Sequence, residues 1–169
     1  MKRILCLLMV LCLMLPVAAM AEGATVKIGQ AYFGAHNNGV TVATVVLVDG
    51  VIVDALIDEV YATAPNDAYV ALPNLGNVAE GAAIMISKRE NNAVYSENMM
   101  ARAATQELAT SYDAIQAFVI GKTVAELEEA VSAYTADNKA EFVDVVSGST
   151  LTDTLNYTLA LLEAARNAQ

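Results

Sequence analysis

The chain has 169 residues, one His, two Cys and no Trp, and 19 Asp+Glu against 9 Lys+Arg give it a charge of −10. That length fits one domain with a substantial core. The acidity excludes a nucleic-acid binder, whose phosphate contacts need a surplus of Lys and Arg, and the scarcity of His and Cys excludes most metal and thiol chemistry.

The first segment has the layout of a secretory signal peptide. Lys2 and Arg3 precede an apolar run from Ile4 to Leu15, Pro16 breaks that run, and Ala19-Met20-Ala21 supplies a small-x-small cleavage site. A membrane anchor needs about 20 apolar residues, more than the run before Pro16 provides. Residues 1–21 are therefore expected to be a cleaved leader and residues 22–169 the domain. Cleavage leaves 148 residues with a charge of −12 and removes both Cys6 and Cys12. Neither Cys follows the small residue a lipoprotein signal requires, so no lipid anchor is expected. The expected location is outside the cytoplasm: a periplasm, the medium, or the outer face of the membrane.

The first half of the domain reads as β. A strand is expected over Val26–Phe33, followed by the polar turn Gly34 to Gly39 and two β-branched runs, Val40–Val48 and Val51–Val60. Asp49-Gly50 between those runs predicts a hairpin, because a type I′ turn needs positive φ at both central residues. Alternation in the third strand places Val53, Ala55 and Ile57 on the core face and Asp54 and Asp58 on the other. Residues 62–81, with Pro65, Pro73, Gly76 and Gly81, read as loop, with a short strand at 82–87.

After Lys88-Arg89-Glu90-Asn91-Asn92 the period becomes helical. One helix is expected over Tyr95–Leu108, and a second capped by Ser111, ending before Gly121 at a C′ position. A third is expected to open with a Thr123/Glu126 capping box and carry Val124, Leu127, Val131 and Tyr134 on one face. A strand-like run, Phe142–Val146, then leads through Ser147-Gly148-Ser149-Thr150 into a last helix over Leu151–Arg166, with Leu151, Leu155, Leu159 and Leu162 as its apolar stripe. The expectation is a single α+β domain: a small antiparallel sheet with an Asp-Gly hairpin, packed against several helices.

Chemistry is concentrated in Asp144 to Asp153. A small-residue turn opening a helix suits a phosphate, since free N–H groups and the positive dipole end gather there. Asp144-x-x-Ser147-Gly148-Ser149-Thr150 resembles the flavinylation motif of the FMN-binding domain family, Asp-x-x-Ser/Thr-Gly-Ala-Thr. That family includes the flavin subunits of sodium-pumping NADH:quinone reductase and related ferredoxin-linked membrane complexes. In it, a flavin transferase joins FMN through its phosphate to the final Thr. The resemblance implies Thr150 as the acceptor, Asp144 as part of the recognition motif, and Ser147, Gly148 and Ser149 as the turn around the phosphoester. Ser149 departs from the usual Ala and adds a possible competing hydroxyl. The Val45–Asp54 hairpin and the Ile115–Leu127 junction are more faintly similar to the family.

The resemblance implies an exported electron carrier, rather than an independent turnover enzyme, with a flavin transferase and an envelope redox partner. The alternative is a degenerate domain of the same fold that carries no flavin and acts as an exported binding module. In that case Thr150, with Asp153 three residues on, simply caps the last helix. The remaining polar residues have structural readings: His36 in an exposed turn, Asp54, Asp58 and Glu59 on a solvated strand face, Lys88-Arg89 at a solvated strand end, and Met99-Met100 as core filling.

Overall fold

The computed structural model describes residues 23–36, 39–73, 83–102 and 104–169. The expected leader lies outside them. Strands β1 (Val26–Phe33), β2 (Gly39–Val48), β3 (Val51–Thr63) and β4 (Ile84–Ser87) form one antiparallel sheet in that order. Helices α1 (Asn92–Met100), α2 (Leu108–Val119) and α3 (Val124–Val131) follow, then a 3-10 helix (Lys139–Asp144) and α4 (Thr154–Arg166). The architecture is α+β. No helix among the described residues is long and apolar enough to cross a membrane.

The β2–β3 turn forms for the reason its sequence implies: Asp49 has φ 51° and Gly50 φ 83°. The alternation in β3, however, is broken. Leu47 pairs with Ile52 but Val46 pairs with Asp54, so Val53 is an extra residue opposite the junction. A bulge of this kind reverses parity on one side of itself. Ile52 is therefore buried beside Ala55 and Ile57, whereas Val53 is 45% exposed. The expectation of Val53 on the core face is corrected accordingly.

One sheet face carries the core. Ala31, Ala43, Val45, Leu47, Ile52, Ala55 and Ile57 meet α4, which lies across β1 and β2, while α2 lies on β3. The closest approach is at Gly29, where a Cβ would stand 1.9 Å from the Ala164 carbonyl oxygen. Only a residue without a side chain admits α4 there. The helix is buried on more than its leucine stripe, with Tyr157, Thr158, Ala160, Leu161 and Ala165 also enclosed. It is covered on its outer side by α2, α3 and the 3-10 helix, so a one-sided stripe understates it.

Several helical boundaries differ from expectation. The first helix occupies Asn92–Met100, not Tyr95–Leu108, and Leu108 instead opens α2. The break is stabilised by side chains of α1 that cap α2. Ser96 Oγ accepts from the Leu108 N–H at 2.9 Å, and Asn92 Oδ1 from the Ala109 N–H at 2.8 Å. Ser111 is thus no cap but a buried residue inside α2. The α3 capping box forms as expected, with Thr123 Oγ1 accepting from the Glu126 N–H and Glu126 from the Thr123 N–H. Gly121 has φ 86°. Phe142–Val146 is not a strand: Phe142 and Val146 turn inward four residues apart, and Phe142 packs edge-on against Phe118 and Tyr134 at 5.8 and 4.9 Å.

Candidate functional site

The Ser147–Thr150 turn is pinned to α2. Gly148 has φ 92°, and a Cβ on it would lie 3.3 Å from Ala114 Cβ. Its carbonyl accepts from Gln106 Nε2, which also donates to Ser111 Oγ. The Thr150 N–H points at that same Ser111 hydroxyl, at 3.4 Å. Ser149 is buried, its hydroxyl 2.7 Å from Thr154 Oγ1. It is therefore committed inside the fold and cannot compete as an acceptor. Asp144 and Ser147 are exposed, and neither side chain is hydrogen-bonded to the turn among the described residues.

Thr150 is exposed and does not cap α4. That helix begins at Thr154, its N-cap is Asp153, and no side chain caps it. The Asp153 carboxylate is taken instead by Lys139 Nζ at 2.6 Å. Among the described residues, the Thr150 hydroxyl makes no hydrogen bond. It opens on a groove of about 290 Å³ shared with Met99, Arg102, Ala104, Leu151 and Thr152. The expected start of the last helix at Leu151 is thus corrected: the turn precedes α4 by several residues and does not lie directly on the helix N-terminus.

Two further cavities adjoin this groove through shared walls. Met99 and Arg102 continue into a cleft of about 350 Å³ bounded by Tyr61, Tyr69 and Tyr95. Met99, Leu151 and Thr152 continue into a smaller one of about 160 Å³ that reaches His36, Lys88 and Tyr157. A larger, open depression of about 800 Å³ flanks the Asp49-Gly50 turn. Its charged residues are exposed, and Arg166 there is committed to Glu128 at 2.7 Å.

The smaller cavity touches a buried charged cluster. Glu59 is fully buried and Lys88 is 1% exposed; Lys88 Nζ lies 3.1 Å from Glu59 Oε2, and the Tyr157 hydroxyl donates to that same oxygen. The ammonium sits 4.6 Å from the centre of the Tyr61 ring and 4.8 Å from that of Tyr95, an arrangement that stabilises a desolvated cation. His36 Nδ1 stands 3.8 Å from Glu59 Oε1, and neither atom has a hydrogen-bond partner. The Tyr112 ring packs edge-on against Tyr157 at 5.0 Å. Burial pushes Lys88 below the usual ammonium range, partly offset by the Glu59 charge, and pushes Tyr95, Tyr112 and Tyr157 well above the usual phenol range.

The solvated readings of these residues are corrected by the same geometry. Glu59 lies on the inward face of β3 in step with Ala55 and Ile57, on the unbroken alternation that follows the bulge. Asp58 is half-buried and caps the turn after β4, accepting from the Arg89 N–H at 3.0 Å and from the Ser87 hydroxyl. Arg89 bridges to Asp113 at 2.9 Å and to Gln116 at 2.7 Å. His36 is half-buried rather than free in a turn. The signal that could have revealed this cluster is the parity of Glu59 with Ala55 and Ile57; Gly39 makes room for it, since a Cβ there would meet Glu59 Oε1 at 1.9 Å.

Comparison with family models, with curated proteins and with solved structures gives no match. The reading of the site therefore rests on its own residues and on the motif resemblance.

Proposed function

We propose that this chain is an exported FMN-binding electron-transfer protein, with FMN joined through its phosphate to the Thr150 hydroxyl. The observation that carries the reading is the state of Thr150. The residue stands exposed on a turn fastened to α2, its hydroxyl has no hydrogen bond among the described residues, and a groove opens beside it. A hydroxyl held as a helix cap would have to give up that role on esterification; this one has none to give up.

The residues present fit the group. A flavin phosphate would hang from Thr150 in a groove shared with Arg102, and Ser149, which replaces the usual Ala of the motif, is enclosed. FMN, when bound, supplies one- and two-electron redox chemistry. The chain would supply the anchor and walls that keep water from one side of the ring. A flavin transferase attaches the group, and a redox partner in the envelope exchanges electrons with it. The leader-like segment supports export.

Coexpression with a flavin transferase, followed by intact mass measurement, tests the proposal. The wild-type chain and Ser149→Ala should gain one FMN phosphoester, and Thr150→Ala should gain none. A Thr150→Ala protein that gains the same mass overturns the site. A wild-type protein that stays colourless and unmodified supports the flavin-free binding module instead.

A further inference from the structure

We infer that the tyrosine cleft beside Thr150 is a seat for a planar aromatic ring, and that Arg102 is the phosphate-positioning residue joining that seat to the attachment point. The inference rests on the reading of Thr150 as the site of flavin attachment and adds the residues that hold the rest of the molecule.

Arg102 follows the last turn of α1, its N–H bonded to the Met99 carbonyl at 2.9 Å, and it lines both the Thr150 groove and the tyrosine cleft. Arg89 and Arg166 are each spent on carboxylates, as are Lys88 and Lys139. Arg102 has no carboxylate partner among the described residues. A guanidinium left unpaired in a chain of this acidity, on the wall that contains the candidate ester, suits a phosphate oxygen. Its planar fork accepts an anion without charge competition.

The cleft supplies the complementary aromatic part. Tyr61, Tyr69 and Tyr95 approach from β3, from the loop after it, and from α1, and Tyr61 and Tyr95 meet edge-on at 6.0 Å. Asn98 donates to the Tyr69 hydroxyl at 3.2 Å, which fixes that ring, and Met99 adds a polarisable wall. At about 350 Å³ the space is of the size that small-molecule sites occupy. Aromatic walls around a few placed polar groups are the usual composition of a site for a flat heterocycle. The order along the surface is thus hydroxyl anchor with its cation, then aromatic cleft, which matches the phosphate and the ring of a flavin mononucleotide.

Free-flavin binding to the unmodified protein, expressed without a transferase, reads this seat apart from the covalent bond. Titration by flavin fluorescence quenching should show FMN bound about tenfold more tightly than riboflavin, equivalent to about 1.4 kcal/mol. Arg102→Ala should erase that preference, weakening FMN far more than riboflavin. Tyr69→Leu should weaken both ligands and reduce the quenching. Both positions are at least partly exposed, and circular dichroism of each variant confirms that it is folded. Equal affinity for the two flavins, or binding insensitive to both substitutions, overturns the inference. The two proposals fail separately. A phosphoester on Thr150 without a flavin preference in the free protein keeps the attachment site and removes the seat. Arg102-dependent FMN binding with no ester formed by the transferase keeps the seat and removes the covalent link.

Discussion

Thr150 and Glu59 show how differently two residues can be legible. The motif around Thr150 is contiguous, so its five members could be named from the sequence. What the sequence could not show is that Asp153, not Thr150, takes the N-cap position and that Ser149 is enclosed. Thr150→Ala should therefore change stability by less than about 0.5 kcal/mol, as for an ordinary exposed position, and not by the ~1 kcal/mol of a lost cap. Thermal unfolding of the unmodified protein separates the two. Glu59 is the opposite case: its partners Lys88, Tyr157 and His36 come from β4's end, α4 and the β1–β2 turn, far apart in the chain. The parity of Glu59 with Ile57 already points inward, but a lone carboxylate reads as solvated until the partners that satisfy it are known. Glu59→Leu should cost about 3–5 kcal/mol, because it strands the Lys88 ammonium in the interior, and adding Lys88→Met should recover much of that loss. Urea unfolding of the single and double variants measures the coupling; simple additivity would mean the pair does not act as one.

Elements with local signals formed where the sequence placed them. The Asp49-Gly50 turn and the Thr123/Glu126 box each depend on residues within a few positions of one another, so no tertiary contact was needed to read them. Thr123→Ala should accordingly cost about 1 kcal/mol, since it removes one side of the box and exposes the first N–H groups of α3. The boundaries that moved are those set from outside the element. Helix α1 stops at Met100 while Asn92 and Ser96 turn to cap α2, and the 142–146 run coils because Phe142 finds the Phe118 and Tyr134 rings instead of a strand. Periodicity within one segment carries no information about either. Gly29 belongs to the same group: its need for a missing side chain comes from Ala164, on the far end of the chain. Gly29→Ala should lower stability by at least about 1–3 kcal/mol, the usual cost of forcing atoms into a packed contact, with α4 displaced from β1. A variant as stable as wild type would mean that the strand and helix separate at no cost.

At the scale of the whole molecule, the buried Tyr112 and Tyr157, with the half-buried Tyr95, and Lys88 link folding to alkaline pH in opposite senses. Tyr95, Tyr112 and Tyr157 hold their phenol protons in the folded chain well above the ordinary value of about 10. As pH rises past that value the unfolded chain releases protons that the folded chain keeps, so the contribution of these groups is complete below about pH 10 and is lost above it. Lys88 has a lowered pKa when folded. Between that value and about 10.4 the unfolded chain holds a proton the folded chain has shed, so its contribution grows with pH and then levels. The lysine contributes one proton against three, and above its unfolded pKa it no longer opposes the phenols. Stability should therefore fall steeply above about pH 10.5, by up to about 1.4 kcal/mol per pH unit for each enclosed phenol. Phenolate absorbance, recorded for native and urea-unfolded protein at the same pH, reads the effect directly. The native protein should lag until it unfolds, and then the remaining phenols should ionise together in one cooperative step. Tyr157→Phe should make the fall above about pH 10 shallower, because the folded state then retains one fewer proton relative to the unfolded chain, while the lost hydrogen bond to Glu59 lowers stability at every pH. Superimposable native and unfolded curves would show that water reaches these hydroxyls and that the cluster around Glu59 is open.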